Sequence, residues 1–349
     1  MKIINMAGRE ISPSHPCFIV AEAGVNHDGS PEKAKRLVDA AARAGADAVK
    51  FQMFRTESLV VNDAPKAEYQ RALTDSAQSQ FSMLKALEFS VDAFRDLQAY
   101  CLENGIMFLA SAFDEASLDA LADLNVPAVK LASGELTNIP FLQYAARKGR
   151  PVILSTGMAY LEEVEKAVKA VLETGNDSLM LLHCTTEYPA ACENVNLRAM
   201  DTLLKAFNLP VGFSDHTMGV EIALAAVARG AVLIEKHFTL DRNAPGPDHT
   251  ASLEPDELKA MVDAIRRVEA ALGDGEKKPV KAEQDGRMVA RKSLVALRDL
   301  PAGTVIRREH LAAKRPATGI SPSEMERVAG RRCKTTIKKD TLLAWNMLD

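Results

Sequence analysis

The chain has 349 residues and a formal net charge of −4, which leaves no overall basic surface for nucleic acid or for an anionic membrane. It contains no run of 18 apolar residues that would span a bilayer and no charged start followed by an apolar export segment. The five cysteines are odd in number and show no CxxC spacing, so neither a disulfide framework nor a zinc finger is expected. We therefore expect a cytoplasmic protein without a nucleic-acid or membrane partner.

Eight short runs of β-branched and apolar residues recur in the first 240 residues, and each ends in polar residues. They read, in chain order, FIVAE, DAVKFQ, IMFLAS, PAVKLAS, PVILST, LMLLHCT, PVGFSDH and VLIEKHFT. Most are separated by a stretch with helical periodicity, such as SPEKAKRLVDAAARAGA. Eight strand-plus-helix units within about 250 residues predict an α/β fold, a closed parallel (β/α)8 TIM barrel with its helices outside.

Polar side chains stand where these predicted strands end. In a (β/α)8 barrel the carboxyl ends of the strands carry the chemistry, so these residues are candidates for an active site. They are Glu22, Lys50, Gln52, Ser111, Lys130, Ser133, Glu135, Ser155, Thr185, Ser214, His216 and His237.

His216 and His237 close the last two runs and lie 21 residues apart. Neutral imidazole suits a divalent transition ion, and two protein ligands leave positions open for water and substrate. Asp215 is expected to orient one imidazole. The alternative is that one or both histidines are core residues. His27, in GVNHDG, is expected to be a loop residue or a substrate contact.

Lys50, Lys130 and Lys236 also end barrel strands, where a lysine serves as an anion clamp or as a Schiff-base nucleophile. Small hydroxyl donors that suit a phosphate follow at successive strands: Ser133, Ser155 and Ser214. Neither a Walker motif nor GxGxxG is present. The sequence therefore predicts the phosphate of a small substrate rather than of a nucleotide.

The pattern changes after the last long helix. We predict a barrel domain over residues 1–275, a Gly- and Lys-rich linker over 276–286 and a second domain over 287–349. The second domain contains short β-like pieces, KSLVAL, TVIR and CKTTIK, which are too short to build a large core alone. It should pack on the barrel or on a partner chain.

Eight motifs, in order, resemble the sialic acid synthase family over essentially the whole chain: EAGVNHDGS, VKFQ, KLASGE, ILSTGM, LLHCTTEYPA, GFSDHT, EKHFT and PGPDH. The resemblance implies condensation of phosphoenolpyruvate with an N-acetylated mannose-type sugar by C–O cleavage. It also implies a TIM barrel followed by a small antifreeze-like (SAF) domain, and no organic cofactor.

Carried over by position, the resemblance makes His216 and His237 the ligands of Mn²⁺ or Mg²⁺, which polarises the sugar aldehyde. It places Glu22 beside the water and the reacting carbons, and Lys50 and Gln52 near the phosphoenolpyruvate carboxylate. The residues implied for the phosphate are Lys130, Ser133, Ser155 and Ser214.

For the sugar, the resemblance implies Glu135, Tyr188, Asp248 and Arg315. Arg315 would be delivered by the second domain into the barrel of a neighbouring subunit, which implies a domain-swapped homodimer.

The end of the second predicted strand bears on the choice of sugar. Neuraminate synthases typically carry a KHQTH-like sequence there, whereas this chain has Phe51 and Phe54. A second difference lies in LLHCTTEYPA, where Thr186 stands at a position that those enzymes usually fill with asparagine. With NDAPKAEYQ, QSQFSMLKALEFS and TTEYPA, these residues resemble the legionaminic acid synthase branch, whose acceptor is 2,4-diacetamido-2,4,6-trideoxymannose. Packing inside the barrel is the alternative role for the two phenylalanines.

Other functions remain open at this stage. One is N-acetylneuraminate synthesis from N-acetylmannosamine. Pseudaminate synthesis is less favoured, because PGPDH matches that branch of the family poorly. A Schiff-base aldolase would use Lys130 or Lys50 without a metal. A non-catalytic carbohydrate-binding protein would need neither histidine.

Overall fold

The computed structural model describes residues 2–66 and 79–349. Residues 67–70 of NDAPKAEYQ and Gln78 of QSQFSMLKALEFS lie outside the described residues. The chain divides into two compact units, Met1–Gly273 and Asp274–Asp349, and each has a hydrophobic core. The boundaries 1–275, 276–286 and 287–349 stay predictions.

An antiparallel hairpin of β1 (Ile4–Met6) and β2 (Arg9–Ile11) precedes the barrel. Its turn is formed by Ala7 and Gly8, both with positive φ, +49° and +86°. The hairpin was not predicted, because three-residue strands give too short a pattern. Its buried side chains form one apolar cluster with side chains of the barrel strands: Ile4, Met6, Ile11, Phe18, Val20, Ala48, Leu109, Ala128, Ile153, Met180, Leu182, Val232 and Leu233. Apolar groups thus fill one end of the barrel and leave the other for polar side chains.

Within the described residues, eight parallel strands close into a barrel, and its last strand pairs with its first. The strands are β3 (Phe18–Gly24), β4 (Ala48–Met53), β5 (Met107–Ala112), β6 (Val129–Leu131), β7 (Val152–Ser155), β8 (Leu179–Cys184), β9 (Val211–Asp215) and β10 (Leu233–His237). Each lies in one of the eight apolar runs, so the predicted (β/α)8 barrel is confirmed.

Helices alternate with the strands and bury their apolar sides against them. In the first unit they are α1 (Pro31–Ala44), α2 (Thr56–Leu59), α3 (Gln80–Leu87), α4 (Val91–Glu103), α5 (Glu115–Asp123), α6 (Ile139–Ala146), α7 (Leu161–Leu172), α8 (Ala199–Phe207), α9 (Glu221–Ala228) and α10 (Pro255–Leu272). Single 3-10 turns lie at Ser133–Glu135, Cys192–Asn194 and His249–Ala251. In the described part of the chain, no helix is both long and apolar enough to cross a membrane.

The ends of α1 show how the sequence sets these boundaries. The Ser30 side chain accepts a hydrogen bond from the Lys33 amide at 3.2 Å, and Pro31 occupies the first helical position. Gly45 ends the helix in the left-handed conformation, with φ +82°.

The second unit contains α11 (Gln284–Ala290), β11 (Ser293–Ala296), β12 (Leu311–Lys314) and α12 (Met325–Val328). KSLVAL contains β11, but TVIR and CKTTIK form only isolated bridges, and the partner of β11 is the unpredicted strand β12. A 3-10 turn at Lys281–Glu283 and the start of α11 occupy part of the predicted linker. Further 3-10 turns are Arg308–His310, Pro322–Glu324 and Trp345–Met347.

Candidate active site

The carboxyl ends of the barrel strands surround a cavity of about 230 Å³. Of the strand-end candidates and the residues implied for donor, sugar and metal, all except Glu135, Thr185 and Arg315 line it. Its lining residues are Glu22, Val25, Lys50, Gln52, Met83, Leu84, Ser111, Phe113, Lys130, Ala132, Ser133, Gly134, Ser155, Met158, Cys184, Thr186, Tyr188, Ser214, His216, Glu235, His237, Pro247 and Asp248.

The pleat of each strand selects which of its polar residues reach the cavity, because successive side chains point to opposite faces. In β4, Lys50 and Gln52 line the cavity, whereas Phe51 is fully buried in the core between barrel and helices. In β10, Glu235 and His237 line the cavity and Lys236 does not.

Four charged groups meet at the centre of the cavity. The Lys50 Nζ lies 2.7 Å from Glu22 Oε2 and 3.7 Å from Glu235 Oε1. The Lys130 Nζ lies 3.6 Å from the same Glu235 oxygen and donates to Ser155 Oγ at 2.9 Å. Glu235 therefore sits between the two ammonium groups.

Burial sets the charge states of this cluster. It raises the pKa of Glu22 to about 7, against the opposing effect of the Lys50 ammonium. Burial also lowers the pKa of Lys130, whereas for Lys50 the carboxylates of Glu22 and Glu235 outweigh burial and raise it. Burial acts to raise the pKa of Glu235, but Lys130 and Lys50 hold it below its usual range. The cavity thus holds two ammonium groups and the Glu22 carboxyl, which is readily protonated, and this combination suits an anion.

The two imidazoles are buried and neutral. Burial lowers the pKa of His216 and lowers that of His237 well below its usual value. The His216 Nδ1 lies 2.6 Å from the Thr185 carbonyl oxygen, which only accepts, so Nδ1 carries the proton and Nε2 has the lone pair. The ring centroids of His216 and His237 are 5.5 Å apart, and Tyr188 lies against His216 at 4.2 Å.

These imidazoles fit a divalent cation by the chemistry of their donor atoms. The buried His237 Nδ1 has no hydrogen-bond partner, although Asp248 Oδ2 lies 3.9 Å away. With the Nε2 of His216, whose lone pair meets the Ser214 hydroxyl at 3.5 Å, it offers two neutral nitrogen ligands. Among residues 2–66 and 79–349 no group of three or more His, Cys, Asp or Glu is arranged to hold a metal ion.

Gly24 leaves space at the point where three polar side chains converge. It has φ +53°, and a Cβ there would lie 3.3 Å from Glu22 Oε1, 3.3 Å from Gln52 Nε2 and 3.5 Å from Asp248 Oδ2. A side chain at this position would be strained by the positive φ and would crowd Glu22 and Gln52, whereas its distance to Asp248 is an ordinary contact.

A second part of the cavity lining is apolar. Val25, Met83, Leu84 and Phe113 line it and belong to one hydrophobic cluster. Phe54 is buried behind them in the same cluster, whereas Phe51 packs against Phe108 at 6.1 Å in the barrel core. Of the two roles left open for Phe51, a part in the choice of sugar or packing, the structure therefore gives it packing. Helix α3, which carries Met83 and Leu84, supplies much of this apolar wall.

Two predicted sugar residues lie outside this lining. Glu135 is half-buried beside it, and its Oε2 accepts from Asn138 Nδ2 at 2.9 Å. Burial raises the pKa of Glu135. Arg315 belongs to the second unit, where its exposed side chain donates from Nε to the Ala290 carbonyl at 2.9 Å.

Two further expectations are corrected, for Asp215 and Lys236, and of the two roles expected for His27 the loop position is the one observed. The Asp215 carboxylate does not orient an imidazole: it accepts from Lys236 Nζ at 2.8 Å and from the Thr217 hydroxyl at 2.7 Å. Lys236, held in this pair, is absent from the cavity lining. His27 is also absent from it and stacks on Phe89 with ring centroids 4.0 Å apart.

Sequence reasoning left Glu235 and Cys184 out of the site and gave Ser111 no role in it. For Glu235 a signal was present, because a residue two positions before His237 in the same strand shares its face. Ser111 was a strand-end candidate without a role, and it accepts from Lys50 Nζ at 2.9 Å. Nothing in the sequence brings Cys184 to Ser133, whose Oγ is 3.1 Å from its sulfur.

Comparison with known families gives two matches along the chain. A model of the NeuB family matches residues 37–277, and a model of the SAF domain matches residues 291–349.

Curated relatives match over nearly the full length. The chain is 47% identical to the N,N'-diacetyllegionaminic acid synthase of Legionella pneumophila, over 96% of each chain. It is 46% identical to the enzyme of the same name from Campylobacter jejuni, over 93% of this chain and 98% of the relative. The human N-acetylneuraminate-9-phosphate synthase is 37% identical over 98% of this chain and 95% of its own.

A solved structure shares the architecture. The N-acetylneuraminic acid synthetase of Leptospira borgpetersenii superposes with a TM-score of 0.73 at 37% identity, over 82% of this chain and 95% of its own.

Proposed function

The chain belongs to the NeuB family of sialic acid synthases, and on this premise we propose that it condenses phosphoenolpyruvate with 2,4-diacetamido-2,4,6-trideoxymannose to give N,N'-diacetyllegionaminate and phosphate. The observation that carries the proposal is the division of the cavity into a cationic, hydroxyl-bearing part and an apolar part. The cationic, hydroxyl-bearing part suits phosphoenolpyruvate, which is strongly anionic. The apolar part suits a deoxygenated, doubly acetylated sugar.

The donor binds, in this proposal, across the lysines and serines. Lys130 and the hydroxyl groups of Ser133, Ser155 and Ser214 hold the phosphate, while Lys50 and Gln52 hold the carboxylate. Charge-assisted hydrogen bonds from buried ammonium groups are strong and keep the phosphate in place as charge develops on it.

The reaction requires one carbon–carbon bond to form and one carbon–oxygen bond to break. C3 of phosphoenolpyruvate attacks the aldehyde carbon of the open-chain sugar, which leaves positive charge at C2. Water adds at C2 and gives its proton to Glu22. The tetrahedral centre then expels phosphate with its bridging oxygen as the added hydroxyl becomes the C2 ketone. The hydroxyl proton leaves with the phosphate, and the proton taken by Glu22 ends on the alkoxide at the former aldehyde carbon. The pKa of Glu22, raised by burial to about 7, suits a group that must accept a proton near neutral pH.

His216 and His237 hold the divalent cation, Mn²⁺ or Mg²⁺, in this proposal. Once bound, it supplies Lewis acidity to the aldehyde oxygen. The residues themselves contribute two neutral nitrogen donors, and the Thr185 carbonyl fixes the tautomer of His216. Because phosphoenolpyruvate is too highly charged to cross a membrane unaided, we place the reaction in the cytoplasm.

The acceptor follows from the apolar wall of Val25, Met83, Leu84 and Phe113. The proposed sugar carries a methyl group where N-acetylmannosamine carries a hydroxymethyl group, and it has a second acetamido methyl. Both methyl groups gain by leaving water for an apolar surface, whereas a hydroxyl placed there lacks a partner. N-acetylmannosamine is the second candidate, since relatives at 37% identity make neuraminate derivatives according to their names.

We expect the diacetamido sugar to give a kcat/KM at least about tenfold higher than N-acetylmannosamine, because one polar-to-apolar change in a pocket discriminates by roughly this factor. Phosphate release with Mn²⁺ measures it, and EDTA should abolish turnover of both sugars. Preference for N-acetylmannosamine would make the enzyme a neuraminate synthase.

Two methionines of the same cavity offer a matched pair for this experiment. Met83→Gln adds polarity to the apolar wall and should reduce the preference for the diacetamido sugar. Met158 also lines the cavity but is 69% exposed and lies outside the apolar cluster, so Met158→Gln should leave the preference unchanged.

We also propose that the active enzyme is a domain-swapped homodimer in which Arg315 of one subunit completes the sugar site of the other. Its position directly after β12, on an exposed stretch of the second unit, supports this role, because only its Nε donates to the Ala290 carbonyl and the exposed guanidinium has further N–H donors for a second surface. A guanidinium hydrogen-bonds an amide oxygen well.

Arg315→Ala is expected to lower kcat/KM for the sugar by about a hundredfold without unfolding the barrel, since a charged hydrogen bond to substrate is lost. Mixed with His237→Ala, it should regain activity. Random dimerisation makes half of the dimers mixed, and each mixed swapped dimer has one intact site of two, so about a quarter of wild-type activity should return. No recovery in verified mixed dimers would show that each subunit uses its own Arg315.

A further inference from the structure

Two loops at the mouth of the barrel are joined by buried polar side chains. One loop, residues 25–30, follows β3, and the other, residues 238–254, follows β10. The His249 Nε2 lies 2.9 Å from Asp28 Oδ1. The Asn26 side chain donates from Nδ2 to the Phe238 carbonyl at 2.9 Å and to Ser252 Oγ at 3.0 Å. The loops are thus tied at two places.

The imidazole of His249 is fixed at both nitrogens. Its Nδ1 lies 2.6 Å from the Thr239 hydroxyl, and the Asp28 carboxylate only accepts, so Nε2 carries a proton toward Asp28. The ring is 2% exposed. Gly246 passes directly over it, since a Cβ there would lie 2.6 Å from His249 Cδ2. The backbone before Asp248 is therefore packed on this ring.

Asp248 lies between these ties and faces the cavity. The Ser252 hydroxyl donates to its carbonyl at 2.7 Å, and its side chain, which is 11% exposed, lines the cavity. Its Oδ2 points to the same space beside Gly24 as Glu22 and Gln52. Neither Asp28 nor His249 lines the cavity.

We propose that Asp28 and His249 are positioning residues that hold Asp248 against the acceptor sugar, an inference that rests on the proposed function for the identity of that ligand. Residues 241–248 form turns and bends without a helix or strand. Side-chain hydrogen bonds must therefore fix the conformation of this segment, as backbone hydrogen bonds do in helices and strands. A carboxylate displaced by about 1 Å loses a hydrogen bond that orients the sugar, and such displacements have large kinetic effects.

The loop of residues 25–30 also contacts the segment that carries the apolar wall. A Cβ at Gly29 would lie 2.6 Å from the Ala86 carbonyl oxygen in α3, and His27 stacks on Phe89 just after it. His27 and Gly29 thus contact the segment that carries the apolar wall, while Asp28 contacts the loop that carries Asp248. The same short loop therefore supports both the apolar wall and Asp248.

The test compares KM for the acceptor, KM for phosphoenolpyruvate and kcat in a small set of variants. Asp28→Ala and His249→Ala should raise the acceptor KM by about tenfold and change the phosphoenolpyruvate KM by less than about twofold. Asp28→Asn should recover most of the affinity, because its amide oxygen accepts from His249 in the same place. Combined with Asp248→Ala, His249→Ala should add no further loss, since it acts through that residue.

Lys33→Ala is the matched control. Lys33 pairs with the other oxygen of Asp28, Oδ2, at 2.9 Å on the surface, so its loss leaves the tie to His249 intact and should not change either KM. Equal increases of both KM values in Asp28→Ala, or a lower melting temperature with unchanged KM values, would overturn the proposal.

Amide hydrogen exchange separates this inference from the proposed function. Exchange over residues 241–248 should accelerate in Asp28→Ala and Thr239→Val but not in Lys33→Ala, whichever sugar the enzyme uses. Unchanged exchange in both would refute the positioning role. A wild-type enzyme that turns over neither sugar, but shows the expected exchange, would refute only the proposed acceptors.

Discussion

Replacing Glu22 with glutamine is expected to lower kcat by about a thousandfold and to change the KM for phosphoenolpyruvate by less than about threefold. The amide has the shape of the carboxyl and retains an oxygen acceptor beside the Lys50 ammonium, 2.7 Å away in the wild type. It does not accept the proton of the water that adds at C2. Steady-state phosphate release with saturating sugar measures the loss.

The pH profile supplies the second readout for Glu22. Burial raises its pKa to about 7, and a base must be deprotonated to act, so kcat/KM, which reports ionisations of the free enzyme, should rise as the pH increases through about 7. This rise should disappear in Glu22→Gln. Asp248→Asn is the control: burial raises the pKa of Asp248 to about 6, so the rise near pH 7 should persist. A Glu22→Gln enzyme with an unchanged rise would assign the ionisation to another group.

Replacing Lys130 with methionine is expected to lower kcat/KM for phosphoenolpyruvate by about a thousandfold, because one of the two buried ammonium groups that meet the anion is lost. Methionine has a similar length, so the space is largely filled. Glu235, 3.6 Å from Lys130 in the wild type, would retain only the Lys50 ammonium 3.7 Å away. Initial rates over a range of phosphoenolpyruvate concentrations measure the effect.

Lys236→Met separates loss of the anion site from loss of stability. Lys236 is fully buried and pairs with Asp215 at 2.8 Å, outside the cavity lining. Breaking this pair should destabilise the fold by about 3–5 kcal/mol but leave the phosphoenolpyruvate KM within about threefold. If Lys236→Met and Lys130→Met raise this KM equally at matched stability, Lys130 has no special role in anion binding.

The repeated pattern of the chain was sufficient for the barrel. Each of the eight apolar runs forms one barrel strand, and the polar residues at their ends lie around one cavity. This was predictable because the length of each apolar run and its alternation with helical segments are local properties of the sequence, and continuous apolar runs are typical of parallel strands buried on both faces. The second unit was less predictable: its pieces are short, and TVIR and CKTTIK form bridges where strands were expected.

The direction of individual side chains depended on the closed barrel. Alternation along a strand gives the relative faces of Lys50 and Phe51, or of Lys236 and His237, but not which face is inside. Both faces of a barrel strand are buried, so the polarity of a side chain alone did not show whether it points into the barrel or toward the helices. Asp215 was expected beside an imidazole and instead pairs with Lys236, because both lie on the outer face.

The chain by itself determined the fold class, the family and most of the cavity residues, because these follow from short motifs and local periodicity. The tertiary structure decided which groups meet. His216 and the Thr185 carbonyl are 31 residues apart, and Asp28 and His249 are 221 apart. The apolar wall comes partly from α3, whose sequence gives no sign that it reaches the barrel mouth. Such contacts arise only when the closed barrel brings distant loops to one rim, so no local pattern records them.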